Sequence, residues 1–113
     1  MENLQVFQIL ECNKTLYKML EQRTVFPISV GLKIHKIMKS FNEIEEYIFE
    51  TMDMTFGNFD WENMTNEQIM FYNNLISQKI EVEYEKIPTS LFENNEKLML
   101  TIEDINRLSI ILC

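Results

Sequence analysis

The chain has no alanine at all, and its 113 residues include only two glycines, two prolines, two cysteines and one histidine. Each shortage removes a class of chemistry. Gly31 and Gly57 alone cannot build a glycine-rich phosphate loop. A metal site on His35 would want a second ligand one helical turn away, yet the flanking positions hold Gly31 and Lys39. There is no H-E-x-x-H motif and no G-x-S-x-G elbow. Cys12 and Cys113 belong to no C-x-x-C pair, so zinc and redox chemistry lack support, and both are expected as reduced thiols. No apolar run reaches the roughly 18 residues of a membrane span. Bases are scarce too: 10 against 18 acids, a formal charge of −8. That balance argues against direct nucleic-acid binding, where neutralisation of phosphates supplies most of the affinity.

What is present is hydrophobic residues at 46% and aromatics at 12%, enough to exclude intrinsic disorder. At this length the prior is one domain over 1–113, with no linker or repeat. The dominant feature is a long helix over about 27–56. Pro27 suits a first helical position and Gly57 a left-handed C-terminal cap. Between them Ile28, Leu32, Ile34, Ile37, Met38, Phe41, Ile44, Ile48 and Met52 recur mostly at three- and four-residue steps. At about 1.5 Å per residue this is a rod of roughly 45 Å, which needs cover along its length.

The other elements follow from period and caps. Residues 3–7 alternate as a short strand, and a helix over about 8–22 presents Ile9, Cys12, Leu16, Met19 and Leu20. The short connection 23–26 makes these first two helices an antiparallel hairpin. Thr65 and Gln68 form a capping box that opens a helix over 66–78, with Ile69, Tyr72, Leu75 and Ile76 on one side. A strand over 80–87 alternates Ile80, Val82 and Tyr84 against Glu81, Glu83 and Glu85, and Pro88 closes it. Its mate in a small two-stranded sheet is 3–7, or failing that 97–100. Thr101 caps a last helix over 102–111, with Ile105, Leu108 and Leu112 facing inward. The fold class is α+β, mostly α.

Charged stripes carry less information. Lys33, Lys36 and Lys39 lie on one helical side but are followed at once by Glu43, Glu45 and Glu46. Glu43, Glu46, Glu50 and Asp53 share a face, yet lack the companions a Mg²⁺ or acid–base site would need. Both stripes, and the glutamate face of the strand, read as solvated surface. The stretch Asp53–Trp61 lacks the oxygen ligands of an EF-hand. What remains is an association surface. Phe49, Met54, Phe56, Phe59, Trp61, Met64, Met70 and Phe71 crowd the far end of the long helix, and aromatics and methionine are enriched in interface cores. They either close the core where two helices meet or form a docking patch.

The order of elements resembles a diffuse group of small, mostly uncharacterised bacteriophage proteins. The resemblance is carried by Val25-Phe26-Pro27-Ile28 starting the long helix, the acidic stretch Asn42-Glu43-Ile44-Glu45-Glu46, the strand Ile80–Glu83 closed by Ile87-Pro88, and the threonine-capped final helix. It implies phage origin, and it assigns no catalytic residues. The lack of alanine beside abundant isoleucine, asparagine and lysine fits an AT-rich coding sequence, as in a low-GC bacterium or its phages. The N-terminal Met-Glu-Asn places an acid where a signal peptide carries bases, so the expected location is a host cytoplasm or a virion. The expected function is non-enzymatic, without cofactor or metal. It is exerted by binding a protein partner, with a homo-oligomer as one arrangement and no membrane contact. The leading expectation is a small component of the virion or its assembly. The alternative is a host-takeover or anti-defence inhibitor whose acidic surface occupies a basic channel.

Overall fold

The computed structural model describes residues 2–22, 25–90 and 100–113. The stretch Thr89-Ser90-Leu91-Phe92, whose residues predict a turn or a short helical element, lies partly outside them, and the second-choice strand mate at 97–100 largely so. In chain order the elements are β1 (Glu2–Gln5), α1 (Val6–Glu21), α2 (Ile28–Phe56), α3 (Asn66–Ile76), β2 (Lys79–Val82) and α4 (Ile102–Leu108), which continues into a 3₁₀ turn, Ser109–Ile111. The fold is mostly helical with a two-stranded antiparallel sheet.

The long helix is present as one unbroken element of 29 residues. It sets the shape: the molecule measures 45 × 29 × 22 Å, and its radius of gyration of 15.6 Å exceeds the ~13 Å of a compact domain near this size. Pro27 stands just before the helix rather than in it, and its carbonyl accepts from the amides of Val30 (3.0 Å) and Gly31 (2.9 Å). Gly57 ends the helix at φ 70°, ψ −147°, a region open essentially to glycine but outside the αL basin that the cap motif predicts. Its amide still closes the last turn on the Asp53 carbonyl (2.8 Å).

The core gathers on the first half of this rod. Ile9, Cys12, Leu16 and Met19 of α1 meet Val30, Ile34, Ile37, Met38 and Phe41 of α2, joined by Leu4, Val82, Ile87, Leu108 and Ile111. The hairpin is antiparallel: Asn13 and Tyr17 reach Asn42, whereas Leu16, Met19 and Leu20 share a small cavity with Gly31 and Ile34. Ile28 and Leu32, expected on the buried face, are exposed. Each lies two residues from a buried one (Val30, Ile34), so about 200° around the helix from it. Ile44 is half-buried against the core, while Ile48 and Met52 are buried farther along, outside the main cluster.

β1 pairs with β2 in the register Glu2 with Val82, Asn3 with Glu81, Leu4 with Ile80 and Gln5 with Lys79. The first-choice mate is therefore the observed one, displaced to 2–5. Helix α1 begins at Val6, earlier than the expected 8, because the Gln8 side chain accepts from the Gln5 amide (3.0 Å) and turns the chain there. The strand expected over 80–87 stops at Val82, and residues 83–86 leave the ladder. Ile87 instead forms a parallel bridge with Leu112: its amide donates to Ile111 (2.7 Å), its carbonyl accepts from Cys113 (3.0 Å), and Thr89 donates to Cys113 (3.2 Å). Pro88 sits between the two donors, at the position where no N–H is required.

Helix α3 ends at Ile76 rather than 78. The capped C-terminal helix runs to Leu108 before tightening to 3₁₀, where a continuous helix to 111 was expected. Its inward face is Asp104, Leu108 and Ile111, at steps of four and three; Ile105 is exposed and Leu112 half-buried. The buried aspartate is tolerated because it is fully engaged. Its side chain accepts from Thr101's amide (3.0 Å) and from the Lys18 ammonium, and Arg107 stands 3.8 Å away. Arg107 also reaches Glu11 (3.0 Å) and Glu103 (2.7 Å), fastening α4 to α1. The Lys18 hydrogen bond, helped by Thr101, holds the Asp104 carboxyl below the usual carboxylate range.

Two predictions follow from this packing. Phe41 is fully buried and meets Tyr84 edge-on at 5.8 Å, so Phe41→Ala should cost about 3–5 kcal/mol in urea unfolding, whereas Leu32→Ala should cost under about 0.5 kcal/mol. Because folding depresses the Asp104 pKa, its contribution is complete above the unfolded value of 3.8 and is lost as pH falls below it. The thermal midpoint should therefore drop on acidification through that range, and Asp104→Asn should lower stability at neutral pH while flattening the acid limb.

Candidate functional site

Beyond residue 44 the long helix is covered thinly, by the loop 57–65 and α3. Helix α3 is well started, since Thr65 and Gln68 exchange side-chain and amide hydrogen bonds at 2.9 and 3.2 Å. It nevertheless contributes no fully buried residue. The loop is shaped by Asp60, whose carboxylate accepts from the Glu62 amide and the Asn63 side chain, each at 2.9 Å. Those bonds, Asn63's first, hold the Asp60 pKa below its ordinary value, so the group keeps its charge into acid.

On this arm the aromatic side chains form a continuous string of ring contacts. Phe49 meets Trp61 at 5.3 Å, Trp61 meets Phe59 at 4.7 Å, Phe59 meets Phe56 at 6.2 Å, and Phe56 meets Phe71 at 5.3 Å. Most are edge-to-face, the arrangement that the ring quadrupole favours. Among the eight expected site residues, Phe56, Phe59, Met64 and Phe71 are half-buried. Phe49 and Trp61 are each 41% exposed and Met70 is 72% exposed. Met54 stands apart. It is 87% exposed and lies two residues from Phe56, on the opposite side of the helix. Beside the string, Thr55, Phe56, Glu67, Met70, Phe71 and Asn74 line an open cleft of about 740 Å³.

One member was missing from the expected set. Tyr72 packs edge-on against Trp61 at 5.5 Å, and its hydroxyl pKa is raised, chiefly by burial and then by Glu45 and Glu11. It joins the aromatic arm to a polar seam between α1 and α2. There the buried Asn13 donates to Asn42 (2.8 Å) and Glu45 (3.0 Å), and Tyr17 donates to Asn42 (2.9 Å). The Asn13 side-chain oxygen is buried without a hydrogen-bond partner among the described residues. The sequence signal for Tyr72 was its place on the inward side of α3; its ring contact with a loop tryptophan has no local signature.

The arm is also where the charge resides. Residues 40–78 hold eight acids (Glu43, Glu45, Glu46, Glu50, Asp53, Asp60, Glu62 and Glu67) and no lysine or arginine, while the ten acids and ten bases elsewhere balance. The lysine stripe has a different setting. Lys33, Lys36 and Lys39 line a groove of about 780 Å³ opposite Glu83 and Glu85, and Lys33 pairs with Glu85 at 3.5 Å. Two features that look solvated in sequence thus face one another, and the carboxylates opposite make the groove a poor phosphate track.

His35 is exposed on α2, and among the described residues no group of three or more His, Cys, Asp or Glu could hold a metal ion. Cys12 is buried and its thiol pKa is pushed up to about 12 by loss of solvation. Cys113 is exposed. No helix is long and apolar enough to cross a membrane among the described residues. Comparison with protein-family models, with curated proteins and with solved structures finds no match to this chain.

A thiol reagent should consequently label Cys113 alone in the native protein, with Cys12 reacting only on denaturation. Fast labelling of both residues under native conditions would show that α1 opens readily from the core.

Proposed function

We infer that this protein acts without catalysis, by binding another protein through its aromatic arm. The observation that carries this reading is the string of half-exposed rings over a helix, α3, that buries no residue fully. Rings left at a surface supply large contact area at small entropic cost, and methionine adapts to irregular partners, the chemistry of interface anchors. Phage origin rests on the element order and on the alanine-free composition. With it, the biological role is a small component of a virion or of its assembly.

The host-takeover alternative draws support from one specific finding, the gathering of the chain's whole net charge into residues 40–78. An acidic surface of this kind suits competition for a basic channel. The two roles share a binding surface and differ in partner.

Trp61→Ala should separate binding from folding. The variant should melt close to the parent, because Trp61 lies outside the main core, while its native complex, purified from infected cells, should lose the partner. Val25→Ser, an exposed change at the opposite end, should keep it. Retention of the partner by Trp61→Ala would remove the arm from consideration. Capsid or tail proteins in the complex would support the virion role, and a host nuclease or polymerase the alternative.

A further inference from the structure

The arm's exposed apolar groups are each set beside carboxylates. Glu46 and Asp53 stand one helical turn before and after Phe49, Asp60 and Glu62 flank Trp61 in the loop, and Glu67 precedes Met70 by one turn and lines the cleft next to it. None of these carboxylates takes part in an ion pair among the described residues. Among the described residues the ion-paired bases lie elsewhere: Lys18 and Arg107 fasten α1 to α4, Lys14 and Arg107 stand by Glu11, Lys33 faces Glu85, and Lys86 meets Glu2 at 3.1 Å.

This arrangement discriminates between occupants. A second copy docking arm to arm would bring two base-free acidic surfaces together, and like charges set opposite each other cost affinity and suppress encounter. A nucleic acid would be repelled for the same reason. A purely apolar partner would leave the rim carboxylates unanswered. Cations are the complement, and they gain twice here. They neutralise the rim, and Phe49 and Trp61, each 41% exposed, offer them aromatic rings for cation–π contact.

We propose that the arm's partner is a lysine- or arginine-rich segment of another protein, whose bulky apolar side chains seat against Phe49, Trp61 and Met70 while its cations meet Glu46, Glu50, Asp53 and Glu67. The proposal rests on the arm being the binding surface and adds the chemistry of what binds. Apolar anchoring supplies the contact area, and the acidic rim supplies the on-rate and the choice of partner.

The single tryptophan makes the test direct, because Trp61 reports from within the surface. The probes are two short amphipathic peptides, one of leucine and lysine, the other of leucine and glutamate in the same pattern. The leucine–lysine peptide should shift Trp61 emission saturably, with an apparent Kd that weakens about tenfold between roughly 50 and 300 mM NaCl. The combined variant Glu46→Gln, Glu50→Gln, Asp53→Asn should weaken it by about tenfold or more, and the control Glu81→Gln, Glu83→Gln, Glu85→Gln by less than about twofold. Equal loss in the control would overturn the proposal, since generic attraction to an acidic protein would then suffice. Binding of the leucine–glutamate peptide at Trp61 would overturn the charge assignment and leave the arm as a binding surface. Silence of Trp61 to both peptides would defeat both. A dimer in sedimentation that Trp61→Ala dissolves would make the occupant a second copy.

Discussion

The structure depends on how one 29-residue helix is covered. A helix of this length gains little from its own hydrogen bonds in water and holds its shape through packing of one face. The chain supplies that packing unevenly. Helix α1, the two-stranded sheet, the Ile87 bridge and the C-terminal turn all converge on the half from Val30 to Phe41. The half beyond Ile44 receives one eleven-residue helix and a loop, and its buried residues are Ile48 and Met52. The consequence is a molecule with a closed end and an open one. At the closed end ion pairs tie helix to helix, down to a buried aspartate that serves at once as helix cap and cross-link. At the open end rings are stacked edge to face without being enclosed, and charge accumulates without being answered.

That asymmetry is what the proposed function draws on, more than any single motif. Enclosed chemistry is what a small enzyme requires: a cleft with convergent polar groups and shifted titrations. Among the described residues the marked shifts belong to a core thiol, two half-buried tyrosines, a loop-forming aspartate and a structural ion pair. Each has an architectural cause, whereas the open end offers the area and charge on which the proposed binding role rests.

Much of this was legible from residues alone. The long helix, the Thr65 and Thr101 caps, the antiparallel hairpin and the pairing of the N-terminal strand with 79–82 all rest on local period or on capping chemistry that tertiary context left intact. The departures have equally local causes. Ile28 and Leu32 matched the helical spacing but fall on the opposite side from Val30 and Ile34, so periodicity counted them in when phase excludes them. Alternation continued to Tyr84, yet the ladder to β1 ends at the Glu2–Val82 pair, and a strand exists only where it has a mate. The parallel bridge of Ile87 to Leu112, and the grip of Lys18 on Asp104, join positions with no sequence relation and were invisible in advance. At the open end the cluster's members were readable, but Met54's separation from it and Tyr72's inclusion came from helix phase and from a loop path that composition does not specify.

The tie between Lys18 and Asp104 spans 86 positions, and it has a meaning for biosynthesis. Helix α1 is synthesised before part of its own lining, Leu108 and Ile111, exists. Until then Ile9, Cys12 and Leu16 have the cover of α2 but lack that of the C-terminal turn. The hairpin therefore reaches its final burial only once the segment carrying Leu108 and Ile111 has docked.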